Sequence, residues 1–452
     1  MRALVPLLVA GLLAACGGGR DGRPDVVLVT LDTTRADRLS CYGYGRETSP
    51  RLDELAAEGV RYRRARAISS WTLPTHAALF TGRFTTSHGA RYDPEGPVRL
   101  GQALEGFDHY RARPLIEAET TLAERLAAHG WRTGGFVAGP WLSRPFGLAQ
   151  GFERWDDTQI DSVVGRLAEQ VTDAALAWVR ELGPDEPAFL FLNYYDPHGP
   201  YGAPAPFTLR FVEGAPEPVD GRWPRKVLRE VLERGEAAFG DLYDGEIAYA
   251  DHHLGRLFDG LAELGRFDDA LVVVTADHGE WLGEAGLWGH GDDLGEVELA
   301  IPLVVRPPGG LKGGALSDLA VQQTDVVPIV LDALGLPRPD EVQGHLPRAA
   351  DAPTFAELYG LPGHRREGLW RTLVRGESKL VWSAAGEREL FDLAADPLGL
   401  ADRAARSPDE AAALADLLEA WARTLPPPGA APDTVDVDPA TLRALESLGY
   451  VR

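Results

Sequence analysis

The chain has 452 residues, 44% of them hydrophobic and 25% charged, which excludes the disordered and fibrous classes. That length holds one large α/β domain or two unequal ones. A formal net charge of −23, from 68 acidic and 45 basic residues, opposes binding to nucleic acid or anionic headgroups, while a small anion stays admissible in a metal-filled cleft.

The first residues, "MRALVPLLVAGLLAAC", set one Arg before an apolar run from Ala3 to Ala15. This is the form of a secretory signal, too short for a spanning helix with ordinary flanks. Leu13-Ala14-Ala15-Cys16 resembles a bacterial lipobox, in which Cys16 is lipidated and becomes the first mature residue. Gly17 after the cysteine implies a lipid anchor in the outer membrane, facing the periplasm of the bacterial envelope. Residues 17–24 read as a flexible tether. Cys41 is the only other cysteine, so no intrachain disulfide is expected.

Val26 to Leu31 is an unbroken apolar and β-branched run that predicts a buried strand ending at Asp32. Ser49 and Pro50 open a helical period that Gly59 stops. Residues 72–82 read as a loop running into a short helix. "ETTLAERLAAHGWRTGGFVAG" predicts a helix and then a strand, and Ile160 to Leu182 a further helix. "PAFLFLNYYDPHGPY" is again a strand that ends in polar residues, and residues 203–240 follow no single period. A long helix then precedes a strand from Leu271 to Thr275, ending at Asp277 and His278. Strand ends that repeatedly deliver Asp or His are the signature of an open, mostly parallel sheet with its site at one edge. Beyond about residue 345 short antiparallel strands and a terminal helix are expected. The organisation predicted is an α/β catalytic domain over 25–345, a smaller α+β region over 346–425, and a linker and tail over 426–452.

Four chemical candidates fall at these ends or in adjoining loops: Asp32, Thr72, His198 and the Asp277–His278 pair. Carboxylate oxygens and imidazole nitrogen together suit a divalent metal, and a hydroxyl bound to such a metal loses its proton more readily. Taken singly each has an ordinary structural explanation: Asp32 and Thr72 as helix N-caps, His198 as a surface loop residue, Asp277–His278 as a turn pair. Convergence at one sheet edge favours the metal.

Five ordered segments carry a family resemblance: "VLVTLDTTRADRLSCYG", "TLPTHAALFTG", "NYYDPHGPY", "EIAYADHHLGRLFD" and "DHGEWLGEAGLWGHG". "IPLVVRPPG" and "LFDLAADP" follow. From about Pro24 to Ala395 the chain resembles the sulfatase family within the alkaline phosphatase superfamily. The resemblance implies a large, mostly parallel or mixed central sheet flanked by helices, with a smaller C-terminal α+β region. It also implies a metal-dependent hydrolase of sulfate or phosphate esters.

The family's nucleophile pattern is Cys or Ser, any residue, Pro, Ser or Ala, Arg, with Leu-x-Thr-Gly later. This chain has Thr72, Pro74, Thr75, His76, Leu79, Thr81 and Gly82. The secondary carbinol of Thr72 cannot become the formylglycine that sulfatases use, and His76 stands where Arg is usual. Asp32 is followed by Thr33 and Asp277 by His278, where sulfatases carry Asp-Asp and Asp-Asn around Ca²⁺. The combination is similar to relatives that use an unmodified Thr on phosphoesters with Zn²⁺ or Mn²⁺. Imidazole suits those ions better than it suits Ca²⁺, which remains admissible.

By this resemblance Asp32, Thr72, Asp277 and His278 hold the metal, and Thr72 attacks. His198 and His290, the latter at the position of a family Lys, contact the anion and protonate the leaving group, or bind a second metal. Arg35, His76 and Tyr201 are expected substrate contacts. Two other readings stay open: an envelope phosphoethanolamine-type transferase or phosphodiesterase, and a catalytically silent binding lipoprotein. The substrate is a small-molecule, glycan or lipid ester, and the sequence selects none of them.

Overall fold

The computed structural model describes residues 22–99, 111–160, 165–215, 230–231 and 233–447. Cys16, the signal, most of the tether and the last five residues, 448–452, lie outside them.

Val26–Leu31 (β1) is buried at every position, and its side chains feed two cores. Val26 and Leu28 face one, Val27, Val29 and Leu31 the other, the period-two split of a strand covered on both faces. The sheet around it also contains Val60–Arg66 (β2), Arg132–Phe136 (β3), Arg154–Asp156 (β4) and Ala188–Tyr194 (β5). Leu271–Ala276 (β6), Leu303–Arg306 (β7) and Ala315–Gln322 (β8) complete eight strands among the described residues. Their spatial order is β8-β2-β7-β6-β1-β5-β3-β4. β7 pairs antiparallel with both neighbours, and the other pairings are parallel. The mixed sheet expected from the sequence is therefore present.

Register brings the chemistry together. Leu31 is opposite Tyr194 on one side and Ala276 on the other, so Asp32 and Asp277 each leave the sheet one residue past a matched pair. Adjacent strands lie about 4.8 Å apart, which sets the two carboxylates side by side.

The helices that flank this sheet are Pro50–Ala57 (α1), Thr72–Thr81 (α2), Leu122–Ala128 (α3), Ala168–Glu181 (α4), Glu236–Glu263 (α5) and Val326–Ala333 (α6). α1 begins at Pro50, the favoured first position, and its Arg51 and Leu52 amides are taken by the Asp251 carboxylate. Two sequence expectations are corrected. The helix placed over Ile160 to Leu182 starts at Ala168, because Gly165 at φ 64° turns the backbone and the Asp196 carboxylate accepts from the Ala168 amide. Residues 72–82 contain no leading loop: Trp71 is extended and Thr72 is already the first helical residue. Gly82, at φ 70°, ends α2 in the left-handed conformation.

A second sheet runs antiparallel through Thr354–Gly360 (β9), Gly368–Arg375 (β10), Ser378–Ser383 (β11) and Arg388–Asp392 (β12). It packs with Pro408–Ala422 (α7) in a core that includes Ile68, Ala78 and Phe84 of the catalytic loop region. The C-terminal layer is thus built against the segment that presents Thr72.

Candidate metal centre and active site

α2 is buried at all ten positions, from Thr72 to Thr81. A buried helix N-terminus carries a partial positive charge and unpaired amides, which favour an anion there. Thr72 does not cap the helix. Its Oγ1 lies 3.2 Å from His278 Nε2.

His278 Nδ1 is 2.9 Å from the Gly279 carbonyl, to which it donates. Nε2 therefore carries the lone pair, available to a metal or to the Thr72 hydroxyl. Burial lowers its pKa to about 4, which keeps the ring neutral. Ligand atoms of Asp32, Asp277 and His278 all lie within 4.8 Å of one another, and the three residues are buried.

Asp277 Oδ1 accepts from the amides of Thr33 and His278, at 3.0 and 2.8 Å. Asp32 Oδ2 accepts from Asn193 Nδ2 at 3.1 Å. The other oxygens, Asp32 Oδ1 and Asp277 Oδ2, are buried without a hydrogen bond among the described residues, and so is Thr33 Oγ1. Burial raises the Asp32 carboxyl well above its usual range, and Asp277 raises it further. Burial also raises Asp277, against the lowering by His76. Two crowded carboxylates with idle oxygens beside a neutral imidazole are what a divalent cation requires, so these residues fit a metal.

The same backbone geometry draws in residues without a sequence signal. Thr33 has φ 50°, in the left-handed region, and this turn brings its amide to Asp277. Asn193 reaches Asp32 from the neighbouring strand while its Oδ1 accepts from Gly139 N at 3.1 Å. Gln323 donates to the Asp277 carbonyl and accepts from Ile68 N at 3.0 Å, linking metal strand to nucleophile loop. Ser70 Oγ donates to the Asp293 carbonyl at 2.6 Å. Each works through a long-range contact that no local period announces.

Three imidazoles form a row. The His278 and His290 rings are 4.3 Å apart between centroids, and those of His290 and His198 are 5.0 Å apart. His198 stacks on Tyr195 and donates Nδ1–H to the Gly199 carbonyl at 2.5 Å. Its Nε2 is therefore an acceptor and lies 3.0 Å from His290 Nε2, and His290 is also bonded to the Ser70 backbone. Burial lowers His198 to about 3 and His290 well below its ordinary value.

The three expected substrate contacts are placed differently. His76 is fully buried, with Nδ1 2.8 Å from the Thr72 carbonyl and Nε2 3.1 Å from Thr30 Oγ1. Both nitrogens are thus hydrogen-bonded within the fold, where the ring joins α2 to β1. Arg35 is likewise saturated by Asp37 at 2.8 Å and Glu284 at 2.6 Å. Those carboxylates outweigh burial and hold its charge firmly, so it braces the loop after β1. Tyr201 donates to Glu280 Oε1 at 2.8 Å, and burial raises that carboxyl to about 8. Its hydroxyl is committed to Glu280.

The family model named Sulfatase matches residues 24–336. The chain belongs to the sulfatase family. The multifunctional alkaline phosphatase superfamily protein PehA of Trinickia caryophylli is 30% identical, over 78% of this sulfatase-family chain and 80% of its own. The arylsulfatase of Clostridium perfringens is 23% identical, over 83% and 89%. A solved structure in complex with D-glucosamine-2-N,6-O-disulfate as substrate superposes with a TM-score of 0.71 at 20% identity. That likeness is one of fold, over 89% of this chain and 98% of the other. The sulfatase reading, the superfamily and the class of sulfuric or phosphoric ester hydrolase stand on these matches.

Proposed function

We propose that this sulfatase-family protein cleaves phosphate esters in preference to sulfate esters, with unmodified Thr72 as nucleophile and Zn²⁺ or Mn²⁺ as its metal. The observation that carries the reading is the 3.2 Å approach of Thr72 Oγ1 to His278 Nε2, beside the idle oxygens of Asp32 and Asp277. The 30% identical relative, called multifunctional within the alkaline phosphatase superfamily, supports a site open to phosphorus.

Asp32, Asp277 and His278 would hold the cation, with Thr72 beside them. A bound divalent cation neutralises the two carboxylates and makes the Thr72 hydroxyl more acidic. Thr72 loses its hydroxyl proton to solvent and its Oγ1 attacks phosphorus in line: an O–P bond forms, the bond to the leaving oxygen breaks, and the α2 N-terminus faces the equatorial oxygens. His290, which takes up a proton once the anion is bound, passes it to the leaving alkoxide and returns to neutral imidazole. Both rings have low proton affinity when the site holds no anion, and an incoming anion raises it. Water adds to the covalent Thr72 ester in the second half, returning the hydroxyl.

The test is turnover of aryl phosphomonoester, phosphodiester and sulfate by protein loaded with Zn²⁺, Mn²⁺ or Ca²⁺, with metal content measured. Phosphoester turnover with zinc or manganese above sulfate turnover is expected. Sulfate turnover above phosphate would overturn the preference, and an alcohol acceptor outcompeting water would make the protein a transferase. We also infer an envelope location through Cys16, so that Cys16→Ser should move the protein from the membrane to the soluble fraction.

A further inference from the structure

We propose that Glu298 is a positioning residue that holds His290 in place beside His278. The inference deepens the catalytic reading, on which it rests for what His290 does. Glu298 is fully buried in the helical turn Glu296–Leu299. Its carbonyl accepts from Gly279 N at 2.8 Å, and its carboxyl group accepts from Gly291 N at 3.1 Å. One residue thereby grips the peptide group that follows each of the two histidines, whose rings are 4.3 Å apart.

His290 depends on such a clamp. It lies between Gly289 at φ 72° and Gly291 at φ 85°, and glycine has more backbone freedom than any other residue, so the local chain does not fix the direction of the ring. Glu298 fixes it from both sides. Oε1 takes the amide just after His290, that of Gly291. Oε2 accepts at 3.1 Å from Trp281 Nε1, and Trp281 pairs antiparallel with Gly289, just before His290. The same oxygen accepts from Gly295 N at 3.1 Å. A Cβ at Gly295 would stand 2.4 Å from the Trp281 ring, so indole, turn and carboxyl group form one packed unit.

The His278 side is gripped by backbone alone. A Cβ at Gly279 would meet the Val297 carbonyl at 2.0 Å, and the Gly279 carbonyl in turn takes the His278 Nδ1 proton. The His290 side depends on the Glu298 side chain. Three N–H donors, from Gly291, Gly295 and Trp281, meet its two oxygens. Both oxygens of a carboxyl group accept, ionised or protonated, whereas a glutamine has one acceptor oxygen and sets its NH₂ against a donor. With the amide oxygen kept for Gly295 and Trp281, the Gly291 N–H faces that NH₂, and the peptide that carries His290 is pushed away. A substitution at this side chain therefore reaches His290 and leaves the grip on Gly279 intact.

The test is a double-mutant cycle between Glu298→Gln and His290→Ala in the full, metal-loaded chain. It reads kcat/KM on whichever of phenyl phosphate and phenyl sulfate the wild type turns over faster. Glu298→Gln alone should lower kcat/KM about 30-fold, since a shift of about 1 Å in a catalytic group costs up to about 10²-fold. In the His290→Ala background the same change should cost less than about twofold, because the ring it positions is gone. Metal content should match the wild type throughout. Trp281→Phe keeps an aromatic ring and removes one donor; it should repeat the pattern at about threefold, and it decides the matter if Glu298→Gln does not fold. Effects that multiply in the double variant, a loss in Glu298→Gln greater than that in His290→Ala, or metal lost from Glu298→Gln would assign Glu298 to the fold at large and overturn the proposal. If His290→Ala proves insensitive to leaving-group acidity, proton delivery fails as the role of His290, while non-additivity still places Glu298 behind that ring.

Discussion

Thr72 Oγ1 and His278 Nε2 meet at 3.2 Å across 206 residues of sequence. The meeting depends on two unrelated local facts: Thr72 opens a buried helix, and His278 spends its other nitrogen on the Gly279 carbonyl. Remove either and the hydroxyl loses its orientation toward the centre.

Thr72→Ala is expected to lower kcat by more than about 10³-fold, the scale on which loss of a nucleophile is felt. Thr72→Ser keeps a hydroxyl and should keep measurable turnover. Metal content measured in parallel should stay at the wild-type stoichiometry in both, because the carboxylates and His278 remain. Unchanged kcat in the alanine variant would sink the assignment.

Asp32→Asn should act with opposite sign in metal-free and metal-loaded protein. Burial and Asp277 raise the folded-state pKa of Asp32, so between the ordinary carboxylate range and the raised value the folded chain binds more protons than the unfolded one. Stability without metal therefore falls as pH rises through that window, and the variant escapes the loss. Its Tm at neutral pH in chelator should exceed that of the wild type. With metal present, the wild type gains about 2.7 kcal/mol at a hundred times Kd, and the variant should gain much less. Calorimetry with and without chelator reads both.

The skeleton of this site was legible because strands announce themselves. The apolar runs ending at Leu31, Tyr194 and Ala276 pointed to Asp32, His198 and Asp277–His278 before any contact was known. The supporting residues were not legible, for a physical reason. Asn193 lies inside a buried strand and Gln323 in a short 3₁₀ turn, and each is defined by a partner more than 40 residues away. The family resemblance implies Arg35, His76 and Tyr201 as substrate contacts, and it carries no information on their partners. Only the partners show that Asp37, Glu284, Thr30 and Glu280 already occupy them.

His290→Ala should discriminate between leaving groups. If His290 delivers the proton, esters of weakly acidic alcohols should lose about 10²–10⁴-fold in kcat/KM, the usual share of general-acid catalysis. An ester of a strongly acidic phenol should lose far less, since its oxyanion departs unprotonated. A plot of log kcat/KM against leaving-group pKa should thus steepen in the variant. Parallel lines would assign His290 to binding the anion and not to proton delivery.

Glu296 ties the C-terminal sheet to the segment that carries His290. It is bonded to Arg66 of β2 and, at 2.9 Å, to the buried Lys379 of β11. Burial alone would raise its carboxyl, but Arg66 and Lys379 outweigh burial and hold it at about 2. A depressed folded-state pKa contributes stability that is complete above the unfolded value, near 4.5, and is lost as pH falls toward 2. Glu296→Gln leaves the buried Lys379 and the half-buried Arg66 without their carboxylate and should cost about 3–5 kcal/mol at pH 7. In urea unfolding the gap between wild type and variant should narrow below pH 4.5, as the wild-type carboxyl takes up its proton. Lys379→Met together with Glu296→Gln should recover part of the loss, because the double change removes one stranded charge. A gap that stays constant down to pH 2 would mean that the lost stability comes from packing and not from the ion pairs.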